Sequence, residues 1–282
     1  MRQPKKRKNK REKDRVSLYI ADHHIPFIDR RADELVIKVI ETLLPDELIL
    51  GGDVVDFWQI SKFNNNPLAR VKLDGPRTIQ DDANDVYDYL VKVRNIIGKS
   101  AQLVFLEGNH EERLRAWVDR YPEISGVKAL EPEELFKISK VGVDKYITYK
   151  PRDWYGASTP EEDHWIIPNK LIAVHGYRYS VNAGYVCNHM IRDYGCSGIS
   201  SHNHKSGSSS RQLKREQVAW WEVGCLCKIY PNYRKHANWQ QGFGVVYSNP
   251  KDPDDFDVSN IRITPNYTCR VNGIKFTRRG PQ

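Results

Sequence analysis

Five short segments gather the side chains that could bind cations and move protons. They are Asp22-His23-His24, Gly52-Asp53-Val54-Val55-Asp56, Gly108-Asn109-His110-Glu111, His175-Gly176 and His202-Asn203-His204. Six of the nine histidines fall in them. Carboxylate, imidazole and amide oxygen together suit Mn, Fe or Zn better than Ca or Mg alone. A central aspartate can bridge two cations. Two cations about 3.5–4 Å apart can clamp a phosphate and activate a water between them. Gly52 and Gly108 would let the backbone turn sharply, so that the next side chain points inward.

These segments need elements to hold them. Val16–Ala21, Glu47–Leu50 and Gln102–Leu106 are short apolar runs that predict buried strands. Between them, Arg31–Leu44 and Asp81–Ile97 carry apolar residues at helical spacing. In the second, Val86, Leu90, Val93 and Ile97 share one face. A third helix is expected within Glu111–Arg120. Lys170–Val174 predicts a strand that ends at His175, and the short run Cys196–Ser201 leads into His202. A helix is expected over Asn182–Tyr194. The β-α-β order implies a mainly parallel sheet covered by helices, with its site on the loops leaving the C-terminal strand ends. Tyr121–Lys170 has five prolines and weak patterning, which predicts an irregular insertion or lid with a short helix near Pro132–Ile138. Strands are expected at Gln217–Leu226, Gly242–Ser248, Asn260–Thr264 and Tyr267–Thr277.

The five segments resemble, in order and placement, the motif series of the calcineurin-like metallophosphoesterases: D-x-H, G-D-x-x-D, G-N-H-D/E, H and G-H-x-H. The resemblance runs from Asp22 to His204, about two thirds of the chain. It implies an α/β fold, the four-layer α/β/β/α sandwich, with the later strands building the second sheet. It implies two divalent cations, with Mn favoured and Fe, Zn or Ni able to occupy the same ligands. Asp22, His24, Asp53 and His204 would hold one cation. Asp53, Asn109, His175 and His202 would hold the other. His110 would stand beside the leaving group as the catalytic histidine, and Asp56 would support the Asp53 loop from outside. Ser201 stands where the family commonly has glycine. Asp56-Phe57-Trp58 replaces the Asp-Arg-Gly of the protein serine/threonine phosphatases, which argues against that activity.

The function implied is phosphoester hydrolysis, with a phosphodiesterase or nuclease ahead of a phosphomonoesterase. The competing reading is a nucleic-acid-binding protein of this fold that has lost catalysis. Degenerate members lose ligands, whereas every ligand type is present here. The net charge of +8 on 282 residues is concentrated at one end. Residues 1–15 hold nine Lys or Arg and only two acids, and the rest is nearly neutral. Such a tail reads either as a nucleic-acid contact through displaced counterions or as a solvated leader. The main domain is expected over residues 16–282.

No run of about 18 apolar residues occurs, and no apolar core follows the basic start, so neither a membrane span nor a secretory signal is expected. Five cysteines, an odd and small number, suit a reducing compartment. The expected location is cytoplasmic, in a host cell if the chain is phage-encoded. Cys225 and Cys227 lack a second pair and read as buried thiols rather than half a zinc site. Tyr230, Tyr233 and Trp239 alternate with Lys228, Arg234 and Lys235. They read first as a packed loop and second as a base-stacking surface. Arg113 and Arg115 follow the Asn109-His110 loop, and are read either as a solvated helix face or as a reach toward phosphate. His23 reads first as neutral and structural and second as a substrate contact, and His164, His189 and His236 are expected to be ordinary.

Overall fold

The computed structural model describes residues 14–62, 77–149, 163–214, 216–229 and 238–282. The basic tail, apart from Asp14 and Arg15, lies outside these residues, as do Tyr230, Tyr233, Arg234, Lys235 and His236.

The first sheet has the order β11-β10-β1-β2-β3-β4. Its parallel centre comprises β1 (Arg15–Ile20), β2 (Glu47–Gly51), β3 (Gln102–Leu106) and β4 (Lys145–Ile147). β10 (Gly242–Asn249) and β11 (Asp252–Arg262) extend it antiparallel on the β1 side. The second sheet has the order β5-β6-β7-β9-β8. Its strands are β5 (His164–Ile167), β6 (Leu171–Ala173), β7 (Ser197–Ser200), β8 (Gly207–Gln212) and β9 (Gln217–Glu222). A small antiparallel sheet of β12 (Thr268–Val271), β13 (Ile274–Thr277) and β14 (Gly280–Pro281) rests on the first helix.

Alternation along β1 defines the layers. Leu18 and Ile20 face a core shared with α1 (Arg30–Leu43) and α2 (Ile79–Ile97). Tyr19 and Ala21 point the other way, into a core between the two sheets with Ile49, Val104, Ala173 and Ile199. On the far side, Ile172 and Val174 pack against α6 (Tyr185–Tyr194) and Trp220. Each sheet is therefore buried on both faces, which explains the near-continuous apolar strands. The expected four-layer α/β/β/α sandwich is the observed architecture.

The helices begin where their caps dictate. Asp29 accepts from Arg31 N at 3.0 Å to start α1, and Thr78 and Asp81 form a reciprocal capping box on α2. Gly98, at φ 72°, closes α2.

Three expectations change. The strands ending at His175 and His202 belong to the second sheet, not to the first. The late strands β10 and β11 do the reverse: they complete the first sheet, because Phe243 and Val245 face the α1–α2 core while Val246 faces the other sheet. The segment 121–170 is less irregular than its prolines suggest. The short helix expected near Pro132–Ile138 is α4 (Pro132–Leu135), but α5 (Ile138–Val141) and the short strands β4 and β5 are unexpected; residues 150–162 lie outside the described set.

Candidate metal centre

All five motif segments sit at C-terminal strand ends, three on the first sheet and two on the second, so the site straddles the two sheets. The loops after β1 and β2 are zipped together. Asp22 N donates to Gly52 O (3.0 Å), His24 N to Asp53 O (2.9 Å) and Ile25 N to Val54 O (2.8 Å).

The β2 loop is bound to the β3 loop through Glu111, the second residue after Asn109 in α3 (Asn109–Val118). Glu111 Oε1 accepts from Val54 N at 2.8 Å and Val55 N at 3.1 Å. Its Oε2 accepts from Asp53 N at 3.0 Å and Gly108 N at 2.8 Å. Burial and the neighbouring Asp53 charge push this carboxyl up to about 7, while the amides, which can only donate, favour its ionised form. Sequence reasoning saw Glu111 only as the acid that completes a motif.

Five of the seven expected ligands have left-handed backbone: Asp22 (φ 53°), His24 (49°), Asp53 (49°), His202 (74°) and His204 (56°). For residues that carry a side chain this conformation is costly, and it marks functional sites held in place by their surroundings. The expected role of the glycines is therefore half right. Gly52, at φ 91°, does make the turn. Gly108 has φ −105° and is needed for room instead, since a Cβ there would lie 2.2 Å from Asp53 Oδ1.

The seven expected ligands converge around Asp53. His175 Nε2 lies 3.3 Å from Asp53 Oδ2, 3.4 Å from Asn109 Oδ1 and 3.3 Å from His202 Nδ1. On the other side, His24 Nε2 lies 3.7 Å from Asp53 Oδ2 and 3.0 Å from His204 Nε2, which is 3.5 Å from Asp22 Oδ1. These are the two groupings the resemblance implies, with Asp53 between them.

The second nitrogen of the key imidazoles fixes the tautomer. His24 Nδ1 donates to Asp56 Oδ2 at 3.0 Å, and His175 Nδ1 donates to the Gly51 carbonyl at 2.8 Å. Their Nε2 lone pairs are thereby aimed at one another's neighbours and at carboxylate oxygens. Asp22 Oδ2 accepts from His202 N, but its buried Oδ1 has no hydrogen-bond donor among the described residues. Lone pairs facing lone pairs, beside an orphaned buried carboxylate oxygen, are what a cation would satisfy. The donor set fits divalent metal.

Without a cation, imidazole protons take its place in part. Burial would raise Asp53, but His175 and His110 hold it well below the ordinary carboxyl value. Burial would likewise lower His175, but the Asp53 carboxylate raises it to about 9. At His23 burial outweighs the pull of Asp22 and lowers it to about 3, and its Nε2 lies 3.0 Å from the Tyr89 hydroxyl, in keeping with a neutral structural role.

Other residues are placed in unexpected ways. Asp56 orients His24 directly rather than only bracing the Asp53 loop. Arg113 joins the site: its guanidinium donates to Asp56 O at 2.8 Å and to His110 Nε2 at 2.9 Å. Arg115 does not, being tied to Glu107, Glu131 and Glu133. Cys227 is a buried thiol as expected, but its Sγ lies 4.0 Å from His204 Nδ1 and within reach of a cation held by His24 and His204. Trp239 packs edge-on to His204, with ring centroids 4.4 Å apart. His164, read as ordinary, is a buried partner of Glu47 at 2.9 Å. The sequence offers Glu111 as a motif acid and Arg113 as a reach toward phosphate, but their links to Asp53 and to Asp56 cross 58 and 57 residues, and Cys227 reaches His204 across 23 residues.

The sandwich carries its candidate site at the strand ends, and the order of its motifs resembles that of the calcineurin-like metallophosphoesterases. The chain matches no protein-family model. It is 28% identical over 246 residues to the Gene 54 protein of Mycobacterium phage L5, covering 80% of this chain and 86% of that one. It is 27% identical over the same length to the Gene 54 protein of Mycobacterium phage D29. Among solved structures it is similar to zinc-complexed Vps29 from Entamoeba histolytica, with TM-score 0.44, 11% identity, and 93% and 99% of the two chains covered. It is also similar to the nuclease MPE of Pseudomonas putida, with TM-score 0.33, 11% identity, and 84% and 85% covered. Among the described residues no helix is long and apolar enough to cross a membrane.

Proposed function

We propose that this protein is a dinuclear metal-dependent phosphoester hydrolase that acts on phosphodiesters. The observation that carries the reading is the convergence of Asp22, His24, Asn109, His175, His202 and His204 on Asp53, with Asp22 Oδ1 buried and lacking a donor among the described residues. Two divalent cations bound there would neutralise phosphate oxygens and lower the pKa of a water between them.

The chain's own residues do the rest. Asp53 is shared by both groupings and sets their separation. Glu111 holds the Asp53 and Asn109 loops at fixed spacing. His110 and Arg113 occupy the side where the ester oxygen leaves. His110 Nδ1 donates to the Asp56 carbonyl at 2.8 Å, so its Nε2 accepts from Arg113 and the positive charge lies on the guanidinium. In this arrangement Nε2 carries no proton, so Arg113 would neutralise the departing oxygen. His110 would act as general acid only after taking up a proton at Nε2 from solvent with the Arg113 contact broken.

Preference for diesters rests on the basic residues 1–15 and on a basic cleft that opens beside Asn109. The tail would add a sequence-independent contact to nucleic acid, and Mn is the favoured metal. The test is Mn-supplemented hydrolysis of bis-p-nitrophenyl phosphate against p-nitrophenyl phosphate, with Asp53→Ala as control. Turnover that favours the diester and disappears in Asp53→Ala is expected. Preference for the monoester would overturn the diester reading, and no turnover in any metal would overturn catalysis.

A further inference from the structure

A cleft of about 620 Å³ lies between α3 and the one-turn 3-10 helix Trp58–Ile60, with Asn109, one of the expected metal ligands, in its wall. That volume suits a single small-molecule group. One wall is a helical stripe: Asn109, Arg113, Ala116 and Trp117 share a face of α3, and Arg120 follows in the turn just past its end. The stripe begins at an expected metal ligand and ends at Trp117, whose ring and that of Tyr121 lie 5.0 Å apart at 57°. Ala116 leaves space in front of them.

The lining charge is mostly basic. Arg113, Arg120 and Lys62 face one acid, Glu112. Gln59 supplies an amide on the opposite wall. Arg113 and Trp117 stand one turn apart, about 6 Å along the helix. Phosphate-binding charge and a stacking ring at that separation match the two ends of one nucleotide. A lipid tail would want a continuous apolar channel, and a peptide would gain little from three cations.

We propose that this cleft seats one nucleoside of a phosphodiester, with its base stacked on Trp117 and its phosphate passed by Arg113 to the metal centre. The proposal rests on the phosphodiesterase reading for its catalytic meaning and names the substrate class, a nucleotide diester. Bases stack on aromatic rings with little sequence preference, so the site would discriminate nucleotide from non-nucleotide rather than one base from another.

The experiment compares thymidylyl-thymidine with its fully abasic counterpart on the Mn-loaded full chain. Wild type should favour the dinucleotide in kcat/KM by about tenfold or more, the range one base–aromatic stack supplies. Trp117→Ala should bring the ratio near one, and Trp117→Tyr should restore most of it. Because Trp117 also packs against the α1–α2 core, Ala116→Phe provides a second variant that fills the cleft without removing core contacts, and it should collapse the same ratio. A wild-type ratio near one, or a ratio untouched by both Trp117→Ala and Ala116→Phe, overturns the proposal.

A second arm needs no turnover. Equilibrium dialysis in EDTA compares thymidine 5′-monophosphate with deoxyribose 5-phosphate. Tighter, Trp117-dependent binding of the nucleotide without hydrolysis of either diester would support the cleft and defeat the phosphodiesterase reading. Equal binding of the two phosphates would overturn the cleft.

Discussion

Arg113 donates to His110 Nε2 at 2.9 Å, so the nitrogen nearest the leaving group is already engaged by a permanent cation. Removing that cation should matter most when the departing oxygen is a poor leaving group. Arg113→Ala is expected to lower kcat about a hundredfold on a diester with an alkyl leaving group, and much less on a p-nitrophenyl ester. Equal loss on both substrates would show that Arg113 holds structure rather than charge at the reacting oxygen.

Glu111 is the point where two ligand loops meet. Glu111→Gln places an amide NH₂ against backbone N–H groups that need an acceptor. It should destabilise the fold by about 2–4 kcal/mol and weaken metal binding with it. Thermal unfolding together with metal titration would check this. Unchanged stability with unchanged affinity would contradict the role.

Asp56 accepts from His24 Nδ1 and so aims His24 Nε2 inward. Asp56→Asn should cost one of the two cations about 10–100-fold in affinity while leaving the other nearly as it was. Calorimetric titration resolves the two sites. A uniform loss at both would place Asp56 in the loop scaffold instead.

Far from the metal centre, buried Glu47 accepts from Ser17 Oγ at 2.7 Å, His164 at 2.9 Å and pairs with Arg15 at 3.1 Å. Burial would raise its pKa, but His164 and Arg15 bring it below the ordinary value. A depressed carboxyl stabilises the fold above its unfolded pKa, about 4.3, and this stabilisation fades as pH falls through the lower folded pKa. Glu47→Gln should therefore be less stable than wild type at pH 7, by about 1–3 kcal/mol. The gap should narrow below about pH 4. Denaturant unfolding at both pH values measures it, and a gap that widens in acid would refute the sign.

What could be read in advance follows a physical line. The segments that end β1, β2 and β3 were legible because strand, turn and ligand are neighbours in sequence. The α1 and α2 faces were legible from spacing, as buried Val86, Leu90, Val93 and Ile97 bear out. The partner of β10 was not legible, because a strand buried on both faces fits either sheet equally well. β4 and β5, of three and four residues, are too short to show a period. At the site, ligand types were legible but the geometry was not. Left-handed Asp22, Asp53 and His204 are imposed by contacts from other loops, and Glu111 acts across 58 residues to reach Asp53.

β10 lies between β1 and β11 and pairs with β1 from Arg15 to Tyr19. During synthesis the ribosome releases every expected metal ligand, Asp22 through His204, before residues 242–249 emerge. Until then β1 has a neighbour on one side only, and the loop bearing Asp22 and His24 hangs from a strand with an open flank. A nascent chain halted just beyond His204 would carry the full complement of expected ligands and still lack the strands that close the flank of β1.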